Sequence, residues 1–136
     1  LTMTVKEYLK QAERLNDKIQ ADEAELEQLR ELTDSVKGLI LGERVQMAPK
    51  NSLEETVIKI VDLENKINIE ISKLVGLKED IRDLVDKLED DTEKLILQKR
   101  YLLFEDWGTI ANDLNYSYRH LTRLHGKILL KLKDVL

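Results

Sequence analysis

The sequence predicts an all-α protein, with a long antiparallel helical hairpin that is similar to a coiled coil and a small three-helix domain after it. Charged residues make up 36% of the 136 positions and aromatic residues 4%, which is typical of long solvated helices. Apolar residues recur at alternating spacings of three and four over two stretches. A change in the sign of the net charge then divides the hairpin, residues 1–90, from the domain, residues 91–136.

The first helix is predicted to begin at Thr4, because Thr4 and Glu7 have the capping-box spacing, in which each side chain accepts a hydrogen bond from the other residue's amide. Nine of eleven residues at the alternating spacing are apolar, which indicates a heptad seam. The eleven are Val5, Tyr8, Ala12, Leu15, Ile19, Asp22, Leu26, Leu29, Thr33, Val36 and Ile40. We expect the regular helix to end between Leu32 and Lys37.

A connector is predicted over residues 38–51, which hold two of the five glycines and the only proline and lose the heptad spacing. A connector of this length can join two antiparallel helices. Its apolar residues are expected to cover the end of the helical pair. An alternative is that they form an edge that binds a partner. These residues are Leu39, Ile40, Leu41, Val45 and Met47.

The second helix is predicted to begin at Ser52, where Ser52 and Glu55 repeat the capping-box spacing. From Leu53 to Leu88 it would be about 54 Å long, so its apolar stripe needs another long helix beside it. That helix is either the first one or belongs to a second copy of the chain. Eight of ten residues at the heptad spacing are apolar. The residues expected to form the seam are Ile60, Ile67, Ile71, Leu74, Ile81 and Val85, with Val57 and Leu88 at its ends.

Three polar residues, Asp22, Glu64 and Lys78, occupy seam positions. Because a buried charge is costly unless it is paired, we expect each of them to be paired or to lie near the surface. An alternative is that they fix the register between helices or between chains.

A third helix start is predicted at Asp90 or Asp91, with Glu93 placed to reciprocate the cap. The helix Thr92–Leu103 would open the small domain. Glu89 adds a third carboxylate beside the two aspartates, but no histidine or glycine turn accompanies them. We therefore expect neither a cation site nor acid–base catalysis there.

Charge is divided unevenly along the chain. Residues 1–91 contain 14 Lys+Arg and 22 Asp+Glu, a net charge of −8 from 14 − 22, whereas residues 92–136 contain 8 and 5, a net of +3 from 8 − 5. The stretch Ser117–Lys133 holds five basic residues and no acidic one. This asymmetry suggests an acidic body and a basic end that binds nucleic acid. The alternative is a solvated basic helix end, favoured by the helix dipole.

The segment Asp106–Lys133 has the pattern of a helix-turn-helix unit. Such a unit needs a small residue where its helices cross, a residue that tolerates positive φ in the turn, and an apolar residue that fixes the second helix. Ala111, Asn115 and Leu121 stand at these positions. Ser117 stands where the N-cap of the second helix is expected.

The segment from Leu95 to Lys133 resembles the fourth region of bacterial sigma factors. Taken with the coiled-coil-like stretch before it, the whole chain resembles the small phage transcription regulators of the RinA/ArpU kind. This resemblance implies a regulator that binds promoter DNA through the second helix of the unit and acts on late phage operons. The chain departs from many family members at Asn115, where they carry Gly; Asn tolerates the left-handed conformation.

A helix that begins after Ser117 would turn residues 121, 124, 125 and 128 inward. The outward residues expected to contact bases are Tyr118, Arg119, Thr122 and Arg123. The two arginines lie four residues apart and can each donate bidentate hydrogen bonds to guanine, worth about 1–3 kcal/mol of discrimination. The residues expected to contact phosphate, which fixes position without reading sequence, are Ser117, His120, Lys127 and Lys99.

No metal or cofactor is expected. His120 and His125 lie five residues apart on the helix and so point in different directions, and the chain has no cysteine. We expect His125 to be a half-buried packing residue. The sequence also has no glycine-rich phosphate loop and no nucleophile with a partner base, so an enzyme is not expected.

Two function classes fit these patterns. The first is a sequence-specific DNA-binding regulator that acts on double-stranded DNA as a homo-oligomer through its long helices, with RNA polymerase as a candidate partner. The second is a helical interaction module that binds RNA polymerase or a sigma-like partner without binding DNA. No apolar run approaches the roughly 20 residues of a membrane helix, so we expect no membrane partner and a place in the cytoplasm of a bacterial host cell.

Overall fold

In the computed structural model, residues 3–41 and 50–135 are described, with side chains over 3–35 and 53–135. These residues form helices and connecting turns with no strand among them, so the prediction of an all-α protein is confirmed. The helices are α1 (Val5–Leu41), α2 (Lys50–Val85), α3 (Asp91–Leu97), α4 (Trp107–Leu114) and α5 (Tyr118–Val135), and a π-helical turn (Gln98–Leu102) continues α3. Over the described ranges, no helix combines the length and apolar character that crossing a bilayer requires.

The start of α1 is the predicted capping box. The amide of Thr4 donates to Glu7 Oε2 at 3.2 Å, and the amide of Glu7 donates to Thr4 Oγ1 at 3.1 Å. The helix continues to Leu41, past the predicted end between Leu32 and Lys37. Glycine inside a helix costs only about 1 kcal/mol relative to alanine, so Gly38 alone does not end it.

The second helix also begins earlier than predicted. It starts at Lys50, so Ser52 lies in its first turn and not at its cap. Of the predicted connector, residues 38–41 and 50–51 are helical. The remaining part, residues 42–49, lies outside the described residues, and so do Val45 and Met47 with it.

The chain divides into two compact units. One, here the α1–α2 unit, is Asn16–Lys73, and the other, here the five-helix unit, consists of Leu1–Leu15 together with Leu74–Leu136. The sequence placed its single boundary near residue 90. The first turns of α1 and the last turns of α2 join the C-terminal helices because their apolar residues share one core with them.

That core of the five-helix unit draws on every helix. It contains Val5, Leu9 and Ala12 from α1 and Ile81, Leu84 and Val85 from α2. Leu88, which follows α2, also belongs to the core. The remaining buried residues lie in the C-terminal helical elements; they are Ile96, Leu97, Tyr101, Leu102, Ile110, Ala111, Leu121, Ile128 and Leu132. Burying this apolar surface is the main term that holds α3, the π-helical turn, α4 and α5 against the ends of α1 and α2 that belong to this unit.

In the α1–α2 unit, the predicted seam of α1 is confirmed by burial. Ile19, Asp22, Leu26 and Thr33 are buried, and Leu29 between them is half-buried. All five lie at the alternating spacing of three and four that keeps one face of a helix against a neighbouring helix.

The seam of α2 differs from the prediction at Ile71, and at its start at Val57, which is 43% exposed. Ile60 is half-buried and Ile67 is 5% exposed, but Ile71 is 40% exposed and the preceding Glu70 only 8%. The heptad spacing after Ile67 allows either Glu70 or Ile71 as the next seam residue. Hydrophobicity favours Ile71, but packing against α1 buries Glu70. In the five-helix unit, Leu74 is half-buried, and Ile81 and Val85 are buried.

The polar seam residues are paired. Lys18 Nζ lies 2.8 Å from Asp22 Oδ1, Lys66 Nζ lies 3.7 Å from Asp22 Oδ2, and the Arg30 guanidinium lies 3.3 Å from Glu64 Oε1. In the five-helix unit, the ammonium of the half-buried Lys78 lies 4.8 Å from the centroid of the Phe104 ring, at cation–π distance.

Asp22 and Glu70 form a buried carboxyl pair. Within the described residues, Asp22 Oδ2 and Glu70 Oε1 are buried without a hydrogen-bond partner, and a proton on Glu70 would allow the two carboxyl groups to share a hydrogen bond. Burial and the neighbouring Asp22 raise the pKa of Glu70. The hydrogen bond from Lys18 and that shared with Glu70 lower the pKa of Asp22.

Glu70→Gln is expected to flatten the pH dependence of the unfolding free energy. A raised folded-state pKa means that protonated Glu70 contributes stability at low pH, and this contribution is lost as pH rises through the folded value. Asp22 acts oppositely: its lowered pKa contributes stability at higher pH, which is lost as pH falls through the folded value. Glutamine keeps the neutral state, so the variant should exceed the natural chain in stability at about pH 8 and lose this advantage at about pH 4.

Denaturant unfolding at a series of pH values measures the effect. Glu55→Gln is the matched control, because Glu55 is an exposed glutamate of the same helix. Parallel stability curves for Glu70→Gln and the natural chain would contradict a proton shared with Asp22.

Candidate nucleic-acid interface

The helix α4 has an N-cap in Asp106. The amide of Thr109 donates to Asp106 Oδ1 at 2.7 Å. This bond to the ionised carboxyl lowers the pKa of Asp106. The cap fixes where α4 begins and therefore where its buried residues, Ile110 and Ala111, meet the core.

The turn after α4 depends on Asn115, which has φ 57° and ψ 37°. The prediction of a left-handed residue here is confirmed. The amide of Tyr116 donates to the Ala111 carbonyl at 2.9 Å, and the amide of Asn115 donates to that of Asn112 at 3.2 Å. This pair of bonds is a Schellman motif, which satisfies the last carbonyls of the helix and reverses the chain.

The helix α5 starts with the predicted cap. The amide of His120 donates to Ser117 Oγ at 3.1 Å, and that of Leu121 donates to the Ser117 carbonyl at 3.0 Å. Asn115 and Ser117 thus set the end of one helix and the start of the next within three residues.

One face of α5 is buried in the five-helix unit. Its buried residues are Leu121, His125, Ile128 and Leu132, with Leu124 half-buried. Their spacing of three and four fixes the rotation of the helix, so the residues between them must face outward.

His125 is more deeply buried than expected, at 9% exposed. Its Nε2 lies 2.7 Å from Tyr101 Oη, and its ring centroid lies 4.4 Å from that of Trp107. Burial, followed by the positive charges of Lys6, Arg100 and Lys10, lowers the pKa of His125 to about 4. The imidazole is therefore neutral near pH 7 and acts in packing. No cluster of metal-binding side chains occurs in the described part of the chain.

The outward face of α5 carries the residues expected to contact bases. Tyr118 is 63% exposed, and Arg119, Thr122 and Arg123 are also exposed. Thr122 Oγ1 donates to the Tyr118 carbonyl at 2.9 Å, which fixes its hydroxyl. Neither arginine forms an ion pair with a described residue, so both guanidinium groups have all their donors available.

Three residues expected at phosphate lie beside this face. Ser117, His120 and Lys127 are exposed. A shallow pocket of about 300 Å³ is lined by His120, Arg123, Leu124 and Lys127. The His120 ring packs edge-on against Tyr116 with centroids 4.7 Å apart, which orients the imidazole.

Lys99 differs from the other candidates, because its side chain is 20% exposed and already bound to carboxylates. Its Nζ lies 3.5 Å from Glu105 Oε2 and 3.4 Å from Asp113 Oδ2. The sequence did not indicate these partners. Glu105 meets Lys99 because Phe104 adopts a left-handed φ of 58° and the amide of Glu105 bonds back to the Lys99 carbonyl at 2.9 Å, and Asp113 approaches Lys99 from α4.

Lys131, one of the five basic residues of Ser117–Lys133, is also paired within the chain. Lys131 Nζ lies 2.8 Å from Glu93 Oε2, and Glu93 is only 5% exposed. The expected reciprocal cap by Glu93 is therefore wrong: Asp90 alone caps α3, by accepting from the amides of Thr92 and Glu93. A buried carboxylate pairs with a cation across the fold, since leaving it unpaired would cost more.

The structure brings seven of the eight candidate residues together on α5 and its cap, and Lys99 is half-buried on the π-helical turn that continues α3. The surface combines guanidinium, ammonium, hydroxyl and imidazole donors with no carboxylate between positions 117 and 133. Such a surface can bind a polyanion. No family model, curated protein or solved structure matches the chain.

Proposed function

We propose that the chain is a sequence-specific DNA-binding transcriptional regulator, in which α4 and α5 form a helix-turn-helix and α5 enters the major groove of double-stranded DNA. One observation carries this proposal: Arg119 and Arg123 are exposed and unpaired among the described residues, on the side of α5 away from the buried stripe. A guanidinium without an internal partner loses no ion pair when it binds DNA.

Sequence would be read by the two arginines. Each can donate two hydrogen bonds to a guanine edge and so contributes about 1–3 kcal/mol of discrimination. Tyr118 and Thr122 lie beside them on the helix surface and would contact neighbouring base edges or thymine methyl groups.

Affinity would come from phosphate contacts. Ser117, His120 and Lys127 flank the arginines and supply a hydroxyl, an imidazole and an ammonium. Lys99 would contribute only by exchanging Glu105 and Asp113 for a phosphate. The net charge of +3 over residues 92–136 supports this placement, since the remaining residues carry −8, from the counts given above.

The wider setting rests on the resemblance to phage regulators of the RinA/ArpU kind and to sigma region 4. It implies a phage-encoded protein that acts on late genes in the cytoplasm of a bacterial host cell, with RNA polymerase as a candidate partner. One module binds weakly, so a homo-oligomer of a helical hairpin formed by α1 and α2 would supply a second DNA half-site.

A protein-interaction module without DNA binding is the second candidate, and one surface favours it. A groove of about 410 Å³ lies between the start of α1 and α5, lined by Met3, Val5, Leu129 and Leu130. Leu130 is 66% exposed and Met3 is 55% exposed. Exposed apolar side chains around a groove are typical of a protein-binding site.

Binding to duplex DNA at increasing salt separates the two candidates. A DNA-binding protein loses affinity with a log–log slope of about −0.9 for each phosphate that it neutralises, because bound counterions are released. The interaction module predicts little binding at any salt concentration. Fluorescence anisotropy with a labelled duplex measures this, and weak binding that does not change with salt would contradict the proposed function.

A further inference from the structure

The α1–α2 unit has an exposed apolar face on α2. Three large apolar residues, Val57, Val61 and Ile71, lie along this side of the helix and are between 40% and 48% exposed. Isolated exposed apolar residues are ordinary, but these occur on a single helix within four turns. The face is therefore a candidate contact surface.

The face has a heptad spacing of its own. Val57, Val61, Glu64, Asn68 and Ile71 follow one another at intervals of four, three, four and three. We call these five residues the outer stripe. It differs from the seam that α2 presents to α1, in which Ile60, Leu63, Ile67 and Glu70 are half-buried or buried. Because the seam of α2 already contacts α1, the outer stripe remains available to contact another helix.

Charge is scarce on the outer stripe. Glu64 is its one charged residue, and the Arg30 guanidinium of α1 lies 3.3 Å from it. Covering the stripe would therefore not bury an unpaired charge. One charged residue among five is a low proportion for a helix surface in a chain of which 36% is charged.

We infer that the outer stripe binds the outer stripe of a second copy of this chain, with the two α2 helices antiparallel. The stripe reads apolar, polar, polar, apolar at Val61, Glu64, Asn68 and Ile71, and this order is the same when it is reversed. In the antiparallel register Val61 packs on Ile71 of the second copy, and Glu64 meets Asn68 of the second copy.

Charge decides the orientation. A parallel pair in register would place Glu64 against Glu64, two like charges in one contact. In the antiparallel pair the Asn68 amide donates to the Glu64 carboxylate, whose other partner is Arg30. The antiparallel dimer gives each Glu64 carboxylate a donor from the second copy, and the parallel dimer leaves a repulsion.

The inference specifies how the proposed regulator forms a homo-oligomer, and it rests on that part of the proposed function alone. Its first test is the mass in solution, by analytical ultracentrifugation over a range of concentrations. The natural chain should be a dimer, and Ile71→Asp should weaken the dimer about tenfold or more, because a covered carboxylate lacks a partner. Its helicity should not change, since Ile71 is exposed within one copy.

Two controls interpret that variant. Leu32→Asp changes a 58% exposed leucine of α1, outside the stripe, and should leave the dimer intact. Ile67→Asp changes the neighbouring seam, where the side chain is 5% exposed, and should reduce helicity itself. A monomeric natural chain, or a dimer that Ile71→Asp does not weaken, overturns the inference.

Disulfide cross-linking tests the orientation, because the chain has no cysteine of its own. Val61→Cys and Ile71→Cys should form a cross-linked dimer when the two variants are mixed and oxidised, and neither should do so alone. A cross-link by Val61→Cys alone overturns the antiparallel register. DNA binding is measured separately: a monomer that binds DNA refutes only this inference, and a dimer that does not bind DNA refutes only the proposed function.

Discussion

Replacement of both Arg119 and Arg123 by alanine is expected to abolish selective binding to promoter DNA. Each bidentate contact to guanine is worth about 1–3 kcal/mol, so each replacement should reduce the preference for the selected site over random duplex by about fivefold to 150-fold. Helicity should not change, because both side chains are exposed and neither has an ion-pair partner among the described residues. Competition binding between selected and random duplexes measures the preference.

Two further variants make this result specific. Arg82→Ala removes an exposed arginine of α2 and should leave the preference unchanged. Lys127→Ala should lower affinity for every duplex alike and reduce the salt slope by about one, as expected for a phosphate contact. If the double arginine variant keeps its preference for the selected site, the outward face of α5 is not the surface that reads bases.

Leu121→Ala is expected to cost about 2–5 kcal/mol of unfolding free energy. Leu121 is 1% exposed and belongs to the core shared by the five helices, so its truncation leaves a cavity and removes buried apolar surface. Denaturant unfolding followed by circular dichroism measures the loss.

Leu130→Ala is the matched control, because this leucine of the same helix is 66% exposed. Its cost should stay within about 0.5 kcal/mol. Equal losses for the two leucines would mean that α5 is rotated differently on the core, and Arg119 and Arg123 would then not face outward.

Local signals in the sequence were enough to place the helix ends that rest on neighbouring residues. The Thr4–Glu7 box, the left-handed Asn115 and the Ser117 cap each depend on contacts within five residues, and all three occur. The heptad of α1 was also predicted, since one alternation of apolar residues dominates that helix.

Partners distant in sequence were not predictable in the same way. The choice of Glu70 over Ile71 depends on the side chains that α1 presents, and the pairing of Lys131 with Glu93 spans 38 residues. The positive φ of Phe104 was not predictable from the sequence, because a bulky residue rarely adopts a positive φ. The grouping of the first fifteen residues with the C-terminal helices likewise follows from tertiary packing.

The candidate surface was predictable as far as exposure goes. The buried spacing of α5 determines which side faces water, and the seven residues on that side follow from it. Exposure does not distinguish a ligand from solvent, and Lys99 shows the difference: its two carboxylate partners come from a turn and a helix that follow it.

The central claim is that the basic outward face of α5 binds duplex DNA. Titration of a labelled duplex with the natural chain at low and high salt tests it most directly. The three cations of this face, Arg119, Arg123 and Lys127, would displace about three counterions, so affinity should fall about fortyfold between about 50 and 200 mM salt. No measurable binding at about 50 mM salt, or binding that salt leaves unchanged, would contradict the claim.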